Sequence, residues 1–352
     1  MLFCLIGRNR QFLSEHDRLE TDMEKGQEWS VGQLLSMSSY YWRSSTVHAG
    51  VQLDIFSELG NQRLTAAQLS NKMGGSQRGV EMLLNALTAL GLLIHDDEGY
   101  GNSAFSGTHL VKGAPGYVGY IIKHHFHLVD AWTKLPEAVM QGAPVEKRSY
   151  GEDIERQNFL MGMFNLALAI APSLASEINL KGRRHLLDLG GGPGTHAIHF
   201  CLANPDLQAT VFDRATTEPF FRETAGKFGM DKRIDFMAGD FNVDAIAGSY
   251  DVAWLSQILH SNTYEECEAL IEKTAAALEP GGMILIHDFL LNDTMDGPLF
   301  PALFSLNMLL NNHGRSYAEK EVREMMSRAG VQNIKRLDFR AANDSAVLSG
   351  TV

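Results

Sequence analysis

Four glycines and one proline follow a short apolar run in HLLDLGGGPGTHAIHF, residues 185–200, where a helical pattern resumes near Thr195. A strand that ends at Leu189 and turns through Gly190, Gly191, Gly192 and Gly194 leaves bare backbone at the carboxyl edge of a sheet. Glycine accepts positive φ and lets a ligand lie directly on the main chain, so the loop suits a nucleoside-like group. The new helix N-terminus suits a carboxylate. Counted from Gly190, the sixth position of a dinucleotide G-x-G-x-x-G pattern is Thr195, and no Lys-Ser/Thr pair follows for a P-loop, so NAD and ATP fit poorly.

Three more residue groups fall at the ends of apolar segments downstream. Asp213 closes ATVFD, 25 residues after Asp188, where an acid can accept hydrogen bonds from both hydroxyls of a ribose. Ala238-Gly239-Asp240-Phe241 ends the third strand and offers a carboxylate for an adenine amine and a ring to pack on the base. His260 ends the fourth, YDVAWLSQILH, on the same edge as the glycine loop.

The elements that must position these residues are strands and helices in alternation. From Arg184 the chain reads HLLDLG, THAIHFCLA, ATVFD, TEPFFRETAGKFG, IDFMAGD, YDVAWLSQ, EECEALIEKTAAALEPGG and MILIHDFLL, the pattern of an α/β parallel sheet covered on both faces. IKRLDF and SAVLSGTV, joined by a short polar turn, predict a final antiparallel pair and bring the sheet to about seven strands. Upstream the pattern is helical. Thr65 caps AAQLSNKM, Gly74 and Gly75 end it, and Ser76 starts a helix with Val80, Leu83, Leu84, Leu87 and Leu90 on its apolar face. Leu92–His95, DDEG and Tyr100 onward predict a hairpin, and the whole resembles a winged helix. Residues 111–180 read as helices that link the halves and roof a pocket. The expected organisation is an extension over 1–28, a winged-helix-like unit over 29–110, the linker and roof over 111–180, and the sheet over 181–352.

Composition narrows the partners. The 352 residues are 45% hydrophobic and 20% charged, as in globular proteins, and 42 acids against 30 bases give a formal charge of −12 that repels nucleic acid and anionic lipid. Cys4, Cys201 and Cys267 are too few and too scattered for a disulfide framework, which points to a reducing, cytoplasmic setting. The apolar start MLFCLIG precedes its basic residues, the reverse of a secretory signal. The longest apolar stretch, Leu299–Leu310, falls short of the roughly 20 residues of a membrane span, so no membrane association is expected. His124, His125 and His127 have no Cys or carboxylate at ligand spacing, and no metal is expected.

DLGGGPG, FD, GDF, ILH and EPGG, in that order, resemble the small-molecule O-methyltransferases related to plant caffeate and hydroxyindole enzymes, from about residue 35 to the end. The resemblance implies a class I methyltransferase sheet that binds S-adenosylmethionine, behind a winged-helix half that pairs two subunits into a homodimer. It places Gly190 and Gly192 at the methionine side, Asp213 on ribose, Asp240 and Phe241 at adenine, and Ser256 as a further cofactor contact. It makes His260 the catalytic base and Asp288, in LIHDFLL, the acid that orients it. A phenol with pKa near about 10 is mostly protonated at neutral pH, and an imidazole near about 6.5 is suited to take its proton. The chain departs from the family at Ser261 and Asn262, where an Asp and a Trp are usual, and at Ser316, where a second acid is usual.

Met161 and Phe164, with Phe159 and Met163, lie before the sheet, and Phe304, Asn307, Met308 and Asn311, with Phe300, follow Pro298. Met and Phe make adaptable walls for a flat small-molecule acceptor, expected to be aromatic or polyketide-like. A C- or N-methyltransferase on the same fold is the alternative within this class. A winged-helix DNA-binding regulator is the alternative outside it, disfavoured because SQRGVEMLLNALTALG carries one Arg and one Glu beside an acidic DDE turn.

Overall fold

The computed structural model describes residues 28–145, 153–339 and 344–352, so the expected extension over 1–28 lies almost wholly outside the described residues. The chain divides by packing into two units at Thr46/Val47. In the first, α1 (Val31–Ser38) begins with a reciprocal cap: the Ser30 hydroxyl accepts from Gln33 N at 3.2 Å, while Ser30 N donates to the Gln33 side chain at 2.9 Å. It buries no residue, and Trp29, Val31, Leu34, Leu35, Tyr41 and Trp42 are each at least half exposed. Helix α2 (Tyr41–Gln52) runs across the division.

The second unit opens with α3 (Ile55–Leu59), α4 (Ala66–Met73), α5 (Gln77–Ala89) and the antiparallel hairpin β1 (Leu93–Asp96) and β2 (Gly99–Asn102). Thr65 and Gln68 form the capping box on α4, and Gly74 ends it in the left-handed region. Val80, Leu84 and Leu87 of α5 are buried against Val51, Phe56, Leu59 and Leu69. Leu83 is only half-buried and Leu90 is 37% exposed, narrowing the expected stripe, because the helix stops at Ala89 and Leu90 is its C-cap. This core takes in Leu110 and is edged by Val118 and Ile122, so it continues past the expected boundary at 110.

Next come α6 (Ala104–His109), α7 (Gly119–Thr133), α8 (Leu135–Gln141) and α9 (Asp153–Glu177). Helix α9 corrects only the expectation that Leu299–Leu310 is the longest apolar stretch: its 25 residues are long and apolar enough to cross a membrane by length and composition, a test that the core helix of a globular protein also passes. Asn158, Asn165 and Pro172 interrupt its apolar run and hide that property from a count of consecutive residues. It packs along α7, where Gly162 leaves only 3.1 Å between a would-be Cβ and the Ile121 backbone, and its C-terminal turns reach the sheet through Leu174 and Ala175.

The sheet contains β3 (His185–Leu189), β4 (Gln208–Asp213), β5 (Ile234–Ala238), β6 (Tyr250–Ser256), β7 (Leu278–Asp288), β8 (Gln332–Arg336) and β9 (Ala346–Thr351) in the order β5-β4-β3-β6-β7-β9-β8. The first five are parallel; β9 is antiparallel to β8, as the sequence predicts, and also to β7. Its helices are α10 (Thr195–Ala203), α11 (Glu218–Lys227), α12 (Tyr264–Ala276), α13 (Leu299–Asn311) and α14 (Glu319–Arg328). Alternate strand residues feed two cores. Leu187, Leu189, Leu255 and Ile286 meet α12 and α14, whereas Leu186, Val211, Trp254 and Leu285 meet α9, α10 and α11. Truncating such a residue, for example Leu187→Ala, costs about 2–5 kcal/mol. Burial on both faces makes the strands near-continuous apolar runs and confines polar chemistry to their carboxyl ends.

Candidate active site

The glycine loop is held in a shape that only glycine fits. Gly190, Gly192 and Gly194 have φ of +67°, +55° and +77°. A Cβ on Gly190 would lie 2.7 Å from the Ile258 side chain, and one on Gly191 would lie 2.6 Å from the Asp188 carboxyl. Gly190 N donates to Phe212 O at 2.8 Å, and Gly192 N donates to Asp213 Oδ2 at 2.8 Å, which fixes the loop against the end of β4. The other Asp213 oxygen accepts from Arg214 N and Thr217 Oγ1. Asp240 lies just beyond β5, with Oδ1 accepting from Asn242 N at 3.0 Å and Oδ2 3.9 Å from Arg214 Nη2. Phe241 is half-buried, and its ring approaches within 3.3 Å of the Gly190 Cβ position. The glycines and both acids therefore line one strip at the carboxyl ends of β3, β4 and β5.

Asp188, which sequence reasoning did not single out, lies directly beneath this strip. It is buried; Oδ2 accepts from Ala197 N at 3.2 Å, while Oδ1 has no hydrogen-bond partner among the described residues. Burial pushes its carboxyl up to about 7, with the Ala197 bond opposing and the Asp213 charge adding to the rise. An acid closing a strand into a glycine turn was the available signal. Ser256, at the end of β6, turns its hydroxyl to His287 Nδ1 at 2.8 Å and His196 Nε2 at 3.4 Å.

His260 does not end a strand, contrary to expectation. Strand β6 stops at Ser256, Gln257 takes φ of +55° while its N–H donates to His287 O, and His260 follows in a 3-10 turn, Leu259–Ser261. That turn brings the imidazole back over β7, where Nδ1 is 2.7 Å from Asp288 Oδ1. Asp288 also accepts from Phe289 N at 2.8 Å, Leu259 N at 3.1 Å and His260 N at 3.3 Å. Burial alone would raise this carboxyl; the imidazole and the Phe289 N–H outweigh it and hold the group below its ordinary range. An ionised carboxylate only accepts, so Nδ1 carries the proton and Nε2 is the basic nitrogen.

Rings surround the imidazole. Phe304 meets it edge-on with centroids 4.8 Å apart, Phe289 lies nearly parallel at 5.8 Å, and Phe300 packs on both phenylalanines. One turn along α13 from Phe304, the Asn307 carbonyl accepts from Trp132 Nε1 at 3.3 Å and Asn311 Nδ2 at 3.2 Å, joining α13 to α7. Met308 is buried, and its sulfur accepts from Asn312. Met161 is buried and Phe164 half-buried on α9; neither joins the ring cluster about His260. Phe159 instead packs on His124. Of the acceptor-wall residues expected from sequence, Phe304 and Phe300 touch the imidazole cluster, and Asn307 and Asn311 extend it along α13. Phe289 and Trp132 were missed, because nothing in a linear pattern pairs β7 or α7 with α13. Ser261 is exposed, whereas Ser316 is buried and its hydroxyl has no partner among the described residues. Among the described residues no group of three or more His, Cys, Asp or Glu is placed to hold a metal.

Residues 132–332 match the family model described as the O-methyltransferase domain, and residues 35–112 match the O-methyltransferase dimerisation domain. The chain is 31% identical to the 3-hydroxy-5-methyl-1-naphthoate 3-O-methyltransferase of Streptomyces sahachiroi, over 90% of this chain and 94% of the relative. It is 33% identical to the tetracenomycin polyketide synthesis 8-O-methyl transferase of Streptomyces glaucescens, over 86% and 92%. A solved O-methyltransferase family protein from Burkholderia thailandensis superposes with a TM-score of 0.82 at 26% identity, covering 92% of this chain and 98% of that one.

Proposed function

The chain belongs to the O-methyltransferase family, and from that premise we propose that it methylates a hydroxyl of an aromatic or polyketide-like small molecule with S-adenosylmethionine, His260 taking the proton. The observation that carries the reading is the His260–Asp288 pair at 2.7 Å, set in a wall of phenylalanines at the same sheet edge as the glycine loop. The residues present fit the cofactor. Gly190 and Gly192 give bare backbone for the methionine side, Asp213 keeps accepting capacity for ribose, and Asp240 and Phe241 stand beside the adenine position. Asp188 leaves one carboxyl oxygen without a hydrogen-bond partner among the described residues beneath the loop, an acceptor for an ammonium N–H arriving there.

When bound, S-adenosylmethionine would supply an electrophilic methyl from its sulfonium centre, the sulfur keeping the electron pair of the broken sulfur–methyl bond and leaving as S-adenosylhomocysteine. The chain's part is to align the acceptor oxygen and to receive its proton. Phe289, Phe300 and Phe304 hold a flat ring beside the imidazole, Nε2 accepts the hydroxyl proton as the oxygen–methyl bond forms, and the Asp288 carboxylate stabilises the resulting imidazolium. The two Streptomyces relatives act, by their names, on hydroxylated naphthoate and polyketide rings, which supports an acceptor of that kind. The exposed apolar residues between 29 and 42 support a homodimer, testable as twice the chain mass in light scattering.

The decisive assay incubates the pure protein with methyl-labelled S-adenosylmethionine and two panels, hydroxynaphthoates with polyketide phenols and matched aromatic amines. Label on phenolic oxygen is the expected result. Label confined to the amines would replace the oxygen assignment with nitrogen, the reading favoured by Ser261 and Ser316 in place of the family's acids. Label on neither panel would overturn the proposal.

A further inference from the structure

Asn262 is buried, with only 3% of its surface exposed. Its amide bridges two segments that are far apart in sequence. Oδ1 accepts from Asn242 Nδ2 at 2.9 Å, in the loop beyond β5, and Nδ2 donates to Ile258 O at 2.7 Å, at the start of the turn that carries His260. Its main-chain carbonyl accepts the Tyr317 hydroxyl at 2.6 Å, from the segment following α13. Three of the four polar positions of one buried residue thus reach three different segments of the site, and the fourth, its main-chain N–H, donates to Leu259 O at 3.0 Å.

Two of these segments carry further hydrogen bonds of their own. On the adenine side, Asp240 Oδ1 holds Asn242 N at 3.0 Å and Asp240 N donates to Asp244 Oδ2 at 2.8 Å, so the acid and Asn242 move together. On the other side, the Ile258 side chain lies against Gly190, and Asp288 holds the main-chain N–H groups of both Leu259 and His260. A displacement of Asp240 therefore has a continuous polar path to the backbone two residues before the imidazole. Buried hydrogen bonds in series transmit such shifts because breaking one strands a desolvated partner.

We propose that Asn262 is a positioning residue that couples occupancy of the adenine site to the placement of His260. The proposal rests on the cofactor reading above. A purely space-filling Asn262 predicts loss of stability on substitution and no change in how the two sites communicate, whereas a coupling residue predicts that communication is lost while binding persists.

Adenosine is the suitable probe, since it has the base and ribose for Asp240 and Asp213 but no methionine arm to reach toward the acceptor site. The full chain, labelled with carbon-13 in its histidine rings and with the His260 signal assigned by its loss in His260→Asn, is titrated with adenosine while calorimetry follows binding. Wild type is expected to show a saturable shift of the His260 ring signal. Asn262→Leu, nearly isosteric but without the amide, and Asn242→Ala, which cuts only the exposed arm, are expected to bind adenosine within about threefold of wild type and to lose at least about four-fifths of that shift. Asn242→Ala keeps the test valid if Asn262→Leu fails to fold. Both variants retaining the full shift, or wild type binding adenosine without one, would overturn the coupling. Absence of adenosine and S-adenosylhomocysteine binding to wild type would instead overturn the cofactor reading, and the coupling with it.

Discussion

His260 and His287 are both buried, lie on either side of Asp288, and differ in what their ring nitrogens face. His260 has one nitrogen on an ionised carboxylate and the other turned to no described hydrogen-bond partner. His287 has both nitrogens occupied, Nδ1 by Ser256 Oγ and Nε2 by Ser345 Oγ at 2.8 Å each, and stacks on Trp254 at 5.5 Å. Burial brings the His287 imidazole down to about 4, against the pull of Asp288, so it stays neutral at any physiological pH. Adjacent strand residues point to opposite faces, and for this reason the Asp288 carboxylate serves His260 and not its own neighbour. The difference teaches that proximity to an acid does not by itself suit a buried histidine to take a proton; of the two rings, only His260 has a nitrogen left for the proposed role.

Substitution at each ring breaks this comparison in a different measurement. His260→Asn is expected to lower kcat by about 10²–10⁴-fold, the usual worth of a positioned acid or base, with a melting temperature near that of wild type. A loss below tenfold would reduce His260 to a packing group. His287→Leu is expected to do the reverse. Stranding the Ser256 and Ser345 hydroxyls costs about 2–4 kcal/mol of stability in denaturant titration, with a far smaller effect on turnover of the folded enzyme.

Asp188 sharpens the comparison from the acid side, because it is a buried carboxylate without the imidazole that Asp288 has. Its folded value of about 7 lies above the ordinary 3.8, so the folded chain holds this proton more tightly than the unfolded chain. Its contribution to stability therefore falls as pH rises from about 4 to about 7 and is flat above. Asp188→Asn is expected to gain about 1–2 kcal/mol over wild type at pH 8 and little at pH 4, since part of the linkage is relieved by relaxation near the loop. Asp288 has the opposite sign. Held below its ordinary range, it stabilises the fold above the unfolded carboxyl value and loses that contribution as pH falls through its folded one. Asp288→Asn should remove that acid limb and leave the Asp188 slope in place. Melting curves of the three proteins from pH 3 to pH 8 check both signs, and identical slopes in wild type and Asp188→Asn would refute the Asp188 assignment.

Much of this was legible in the residue order. Apolar runs with breaks at Gly190 and Asp213 placed the strands, and the period-3.6 stripe of Val80, Leu84 and Leu87 placed α5. The glycine loop and its acids were legible because each sits where a strand must end. Legibility failed where the residue pattern gives no local mark of what the chain does. Asn158, Asn165 and Pro172 broke up the apolar run of α9, so its span-like composition escaped a count of consecutive residues although the segment itself reads as helical, and Gln257 ended β6 four residues before His260 with no glycine to mark it.

The order of residues by itself determined the alternation of strand and helix, and with it the edge on which Gly190, Asp213, Asp240 and His260 collect, because hydrophobic period and turn chemistry act over a few residues at a time. Tertiary structure alone decided that Asp288 meets His260 across 28 positions, that Phe289 and Phe304 close on the same ring, and that Asn262 joins Asn242 to Ile258. Those pairings depend on strand order and on which face of the pleat each side chain takes, and both are fixed only when the two cores pack on β3, β6 and β7.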